Sequence, residues 1–141
     1  SWGALIGLSK DKPDVLGELP IVEALIDRAL ELDESFDRGA IHIFLIGYES
    51  VRQGVAGDPA ERARRHFTRA MELSGGTQSA PLLALAEAVC VPQQRRAEFI
   101  ALLERALRVD TDQGSEDRLA NLVAQRRARW LLSRTEHLFT N

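Results

Sequence analysis

The chain has 141 residues, 45% hydrophobic and 28% charged, and its 18 basic against 21 acidic side chains leave a net charge of −3 with neutral histidines. This is the composition of one ordinary soluble domain, large enough to bury about two thirds of its unfolded surface without staples. The lone Cys90 allows no internal disulfide. Mild acidity argues against nucleic acid as a partner, and apolar runs such as residues 40–48 end at Glu49, well short of the roughly 20 residues of a spanning helix.

In chain order, the opening Ser1-Trp2-Gly3 has no initiator Met, basic segment or cleavage site, which reads as a processed product or a piece of a longer chain. Helices are predicted at Trp2–Ser9, Pro20–Leu32, Asp37–Gln53, Pro59–Leu73, Ala80–Cys90, Gln93–Val109 and Glu116–His137. The start at Asp58-Pro59-Ala60-Glu61 combines an N-cap oxygen, a proline whose missing N–H costs nothing and an early acid. Gly54–Gly57 before it and Ser74-Gly75-Gly76 after it are stops. No stretch alternates apolar and polar residues ahead of a hairpin turn, so strands are not expected.

One segment recurs three times: Arg28-Ala29-Leu30-Glu31-Leu32-Asp33, Arg69-Ala70-Met71-Glu72-Leu73-Ser74 and Arg105-Ala106-Leu107-Arg108-Val109-Asp110. Three residues before each alanine stand Ile26, Phe67 and Leu103, and seven before stand Val22, Ala63 and Phe99. Those spacings share one helical face, with a small residue admitting a neighbouring helix and a large one filling the space beside it. The pattern is that of the second helix of a tetratricopeptide hairpin, clearest from Ala63 to Ala70. The alanines lie 41 and 36 residues apart, and the longer interval adds about two helical turns to a usual period of about 34 without rotating the buried face. The expected fold is all-α: a tetratricopeptide-like stack of antiparallel helix pairs closed by a C-terminal capping helix, forming one domain over residues 1–141.

The chemistry-bearing residues are sparse. His42, His66 and His137 share no metal-ligand spacing with one another or with Cys90, so no metal or cofactor is expected. Phosphate-binding loops and a Gly-x-Ser-x-Gly elbow are missing from the sequence. Cys90 sits in the mostly apolar run Ala86–Val91 and reads as an inert core thiol rather than the nucleophile of a Cys–His enzyme. His42 lies inside the most apolar helix and must find a partner there: it is either a core histidine bonded to a carbonyl or carboxylate, or a polar group lining a ligand cavity. Gly39 and Gly47 flank it and would permit close approach.

Arginine supplies 16 of the 18 basic residues, clustered at Arg62, Arg64, Arg65 and Arg69 and at Arg126, Arg127, Arg129 and Arg134. Pairs such as Glu61 with Arg65 make a solvated face the main reading. The last helix differs, because Leu119, Leu122, Val123, Arg126 and Trp130 fall on one face, so Arg126 needs a carboxylate, a cation–π contact or an interface. Asn121, Gln125 and Arg129 form a neighbouring polar ridge, suited either to partner docking or to keeping a capping helix in water.

A further set of motifs, in order Trp2-Gly3, Leu8-Ser9-Lys10-Asp11, Leu19-Pro20, Ala24-Leu25, Arg28–Asp33, Gly39-Ala40-Ile41-His42, His66-Phe67, Glu72–Gly76 and Arg127-Ala128-Arg129-Trp130-Leu131-Leu132, resembles the TatT family nearly end to end. Its members are the tetratricopeptide-like components of tripartite ATP-independent periplasmic (TRAP) transporters. The resemblance covers the C-terminal portion of such proteins, which carry an export or lipoprotein signal further upstream. It implies a non-enzymatic periplasmic helper that oligomerises, binds the periplasmic substrate-binding subunit and holds or channels a small hydrophobic or organic-acid ligand. On that expectation His42, Tyr48, Arg127 and Trp130 are ligand or channel candidates, and Asn121, Gln125 and Arg129 are partner-surface candidates. The competing readings are an autonomous carrier of an apolar ligand and a generic protein–protein interaction module.

Overall fold

The computed structural model describes residues 19–34, 38–52, 55–111 and 117–140, and these contain helices and no strand. The predicted helix Trp2–Ser9, the Gly54 stop and the Glu116 start lie outside them. The chain forms two compact units, Ser1–Glu34 and Ser35–Asn141.

In the first unit, α1 (Leu19–Leu32) matches its predicted span to one residue. Val22 is buried, whereas Ile21, Leu25 and Leu32 are exposed.

The second unit holds α2 (Ala40–Tyr48), α3 (Pro59–Ser74), α4 (Ala80–Leu85), a π-helical turn (Ala86–Cys90), α5 (Arg96–Leu107), α6 (Arg118–Ser133) and α7 (Thr135–Leu138). Helix α2 packs on α3, α3 and α2 both on α4, α4 on α5, and α5 on α6. The start of α3 is the predicted one: Asp58 accepts a hydrogen bond from the Ala60 amide and Pro59 occupies the first turn. Gly75 ends it at φ +67°, a left-handed conformation that favours glycine.

Three predicted helices are shortened for identifiable reasons. Helix α2 stops at Tyr48 rather than Gln53, where the Ser50 hydroxyl donates to the Gly47 carbonyl and the following amides of Val51 and Arg52 both turn back to Tyr48. The span Ala80–Cys90 is α-helical only to Leu85. Pro92 supplies no N–H to the turn before it, and the Val91 amide reaches five residues back to the Ala86 carbonyl. Gln94 then takes a left-handed φ of 54°, which delays α5 to Arg96.

The core runs through Ile46, Ala63, Leu82, Leu85, Val89, Cys90, Phe99, Leu103, Ala106, Ala128 and Leu131 and reaches Phe139 beyond α7. Phe99 and Phe139 meet edge to face, with centroids 4.9 Å apart. The repeated alanines Ala70 and Ala106 are fully buried, as the period requires, while Ala29 is exposed. Gly39, at φ +97°, allows close approach: an added Cβ would stand 3.3 Å from Leu73 Cβ and 3.4 Å from the Ala70 backbone. Gly47 faces open space.

Candidate functional site

Charge is gathered at three places in the second unit. The first lies between α2 and α3. His42 on α2 and Glu49, the residue that caps its end, are seven residues apart, so both face the inner side of the helix, and Glu49 is only 1% exposed. Across from them, Arg62 and His66 share a face of α3 with Ala63 and Ala70. The Arg62 Nε donates to Glu49 Oε2 at 2.5 Å, and its Nη1 donates to the carbonyls of Ala56 and Gly57 at 2.9 and 2.8 Å. Arg52 donates to Glu49 Oε1 at 3.0 Å. Burial pushes the Glu49 carboxyl upward, but hydrogen bonds from Arg62 and then Arg52, with their charges, overcome it and hold the group below its ordinary value.

His66 joins this centre to His42. The two Nδ1 atoms are 2.8 Å apart, and His66 Nε2 is 3.8 Å from Glu49 Oε1. A contact between two ring nitrogens needs one protonated and one bare atom, so the pair shares one proton along that line. Burial first, then the neighbouring His42, lowers the His66 pKa; Glu49 pulls the other way, and the weaker Arg52 and Arg65 charges add to the lowering.

The second place is a polar seam at the start of α6. Asp117 receives both arms of the Arg38 guanidinium, the Thr77 hydroxyl at 3.2 Å and the Gln78 amide at 3.3 Å. The Arg38 hydrogen bonds, foremost, keep its carboxyl below the usual range. One turn on, Asn121 accepts from the Ser79 amide at 2.9 Å and donates to the Thr77 carbonyl at 2.8 Å. Another turn on, Gln125 donates to the carbonyls of Ala106 and Val109 at 3.1 and 2.8 Å, closing the end of α5.

The third is the opposite side of α6, where Arg127 lies over the Trp130 ring at 5.1 Å and Arg134 at 5.8 Å, with Arg127 also bonded to Glu87 at 2.7 Å. An open groove of about 320 Å³ on α3 is lined by Arg64, Arg65, Thr68, Arg69 and Glu72, and Arg64 there is clamped by both oxygens of Glu98 at 2.7 Å.

The four ligand candidates fall into two groups. His42 and Tyr48 stand on α2, the first against His66 and the second stacked on Phe44 at 5.6 Å; Arg127 and Trp130 stand together on α6. The partner ridge also divides. Asn121 and Gln125 are 2% and 6% exposed and are spent on backbone groups of neighbouring helices, whereas Arg129 points outward. They face inward because α6 buries Asn121, Ala124, Gln125, Ala128 and Leu131, not the stripe through Leu119 and Trp130 expected from its apolar residues. Sequence reasoning missed Glu49, Arg62 and Asp117. The signal for the first two was spacing, since each sits three or four residues from a buried position on its own helix.

These features define an all-α protein whose buried polar groups tie consecutive helices together. Among the described residues no cluster of three or more His, Cys, Asp or Glu side chains could hold a metal ion, and no helix is long and apolar enough to cross a membrane. Comparison with known proteins makes the assignment specific: the family described as TRAP transporter T-component matches residues 1–139. The chain belongs to that family. It is also similar to an uncharacterized protein of Treponema pallidum (strain Nichols), at 27% identity over 115 residues, which covers 82% of this chain and 36% of that protein. The matched stretch thus spans about a third of the relative's length. No solved structure matches the chain.

Proposed function

We propose that this chain is a non-catalytic helical-repeat scaffold of TRAP-type solute uptake, acting in the periplasm by binding the transporter's substrate-binding subunit. In this reading residues 1–141 form one tetratricopeptide-like domain of about three hairpins and a cap, assembled into homo-oligomers and tethered through a lipoprotein segment upstream. The observation that carries it is the family match over residues 1–139. Burial of Ala70 and Ala106 at the positions where hairpins meet supports the repeat architecture, and the buried ion pairs and amides act as fasteners rather than as reactive groups. The thiol of Cys90, the one strong nucleophile in the sequence, is buried.

Isothermal titration of the purified full-length protein with the substrate-binding subunit of its own transporter tests the proposal. A saturable complex is expected; its absence at concentrations up to about 100 μM overturns the scaffold reading. Carriage of a small organic acid or apolar ligand has thinner support, because the groove on α3 is open to solvent, whereas small-molecule sites are usually enclosed. Native mass spectrometry of the gently purified protein decides it: a retained ligand mass favours carriage and a bare chain removes it.

A further inference from the structure

Along the outside of α6, Leu119, Val123, Arg126, Trp130 and Arg134 follow at intervals of four, three, four and four residues, which places them in one line on the side opposite the core. Leu119, Val123 and Trp130 are 74%, 62% and 52% exposed. Such a row of large apolar side chains on a helix is the makeup of an interface rather than of a solvated face. The helix also carries Arg118, Arg126, Arg127 and Arg129 and no acidic residue at all, in a chain whose net charge is −3. The Arg127 and Arg134 guanidinium groups both lie over the Trp130 ring, at 5.1 and 5.8 Å from its centroid.

We propose that this face of α6 docks an acidic surface of the substrate-binding subunit, with Trp130 entering an apolar pocket and Arg126 and Arg134 meeting carboxylates around it. The inference rests on the scaffold reading and adds the location and chemistry of the contact. Charge selects the occupant. Two copies of the chain meeting through this face would set arginines against arginines, a like-charge juxtaposition that disfavours the pairing. An acidic partner is complementary, and Trp and Arg are the residues that most often dominate binding energy at protein interfaces.

The test is titration of the full-length protein with the purified subunit at low and high salt, combined with hydrogen exchange. Trp130→Ala should weaken binding about 30-fold, and Arg126→Glu with Arg134→Glu at least about tenfold with a flatter salt dependence. Arg105→Glu, an exposed arginine on α5, should leave it unchanged. Amides of residues 119–134 should gain protection on binding. All four substitutions are at exposed positions, and far-UV circular dichroism checks the folding of the three variants. Equal binding by wild type and variants, or protection elsewhere, overturns the α6 site and leaves the scaffold reading standing. Failure of the wild type to bind removes both. Protection of α6 before the subunit is added, by other parts of the chain or by a second copy as sedimentation would tell, overturns the proposal, as does binding to phosphatidylglycerol vesicles in place of the subunit.

Discussion

At Glu49 a carboxylate with almost no access to water is answered by Arg62 and Arg52, and Arg62 is itself buried. Removing one partner of such a pair strands the other's charge in a poorly solvated place. Glu49→Gln should therefore destabilise the protein by about 3 kcal/mol in urea unfolding. Its neighbour His66 gives the same centre a pH dependence. Because folding lowers its pKa from 6.5, the unfolded chain binds more protons as the pH falls below that value, so stability rises with pH. The contribution is complete above about pH 6.5 and is lost as the pH falls toward the folded pKa. Thermal midpoints measured from pH 8 to pH 5 should drop, and His66→Gln should flatten that slope. Glu49 acts in a lower window, since a depressed carboxylate pKa contributes stability that disappears only as the pH falls below 4.5. Cys90 is a separate case: burial, and then the charge of Glu98, push its thiol up to about 12. Alkylation at pH 8 should be slow in the folded protein and rapid in denaturant.

Among the elements, the alanine repeat separates what the sequence declares from what only packing decides. Ala70 and Ala106 are fully buried, whereas Ala29 in the first copy is exposed. Ala106→Leu should cost about 1–3 kcal/mol through overpacking, while Ala29→Leu should shift the urea midpoint little. The helices among the described residues, the α3 cap and the buried face of the second and third copies were legible because each rests on local spacing and local hydrogen bonding. The inner face of α6 was not. Its apolar residues Leu119, Val123 and Trp130 point outward, and the inner positions Asn121 and Gln125 are polar because they close the ends of other helices. Hydrophobic pattern alone inverts such a helix, since the carbonyls and amides awaiting partners at the ends of α4 and α5 are not visible from the sequence of α6. The same blindness hid Asp117, whose partners Arg38, Thr77 and Gln78 lie 39 to 79 residues away.

On the scale of the whole unit from Ser35 to Asn141, a single core extends from α2 to the chain's last described turn. Its far end is fastened twice. Phe139 enters the core against Phe99, and Gln94, in the turn before α5, donates to the Leu138 carbonyl and accepts from the Thr140 amide at 3.0 Å in both cases. The C-terminal segment is thereby tied to the loop that follows the π-helical turn, so it belongs to the cooperative structure rather than fraying from it. Phe139→Ala would leave a cavity beside Phe99, and truncation of a buried phenylalanine costs about 3–5 kcal/mol. If one core governs the unit, the loss should appear as a lower urea midpoint with an unchanged slope, and unfolding followed by far-UV and near-UV circular dichroism should remain coincident. A merely local role predicts the opposite: amides near residues 94 and 135–140 would exchange early while the midpoint stayed close to that of the wild type.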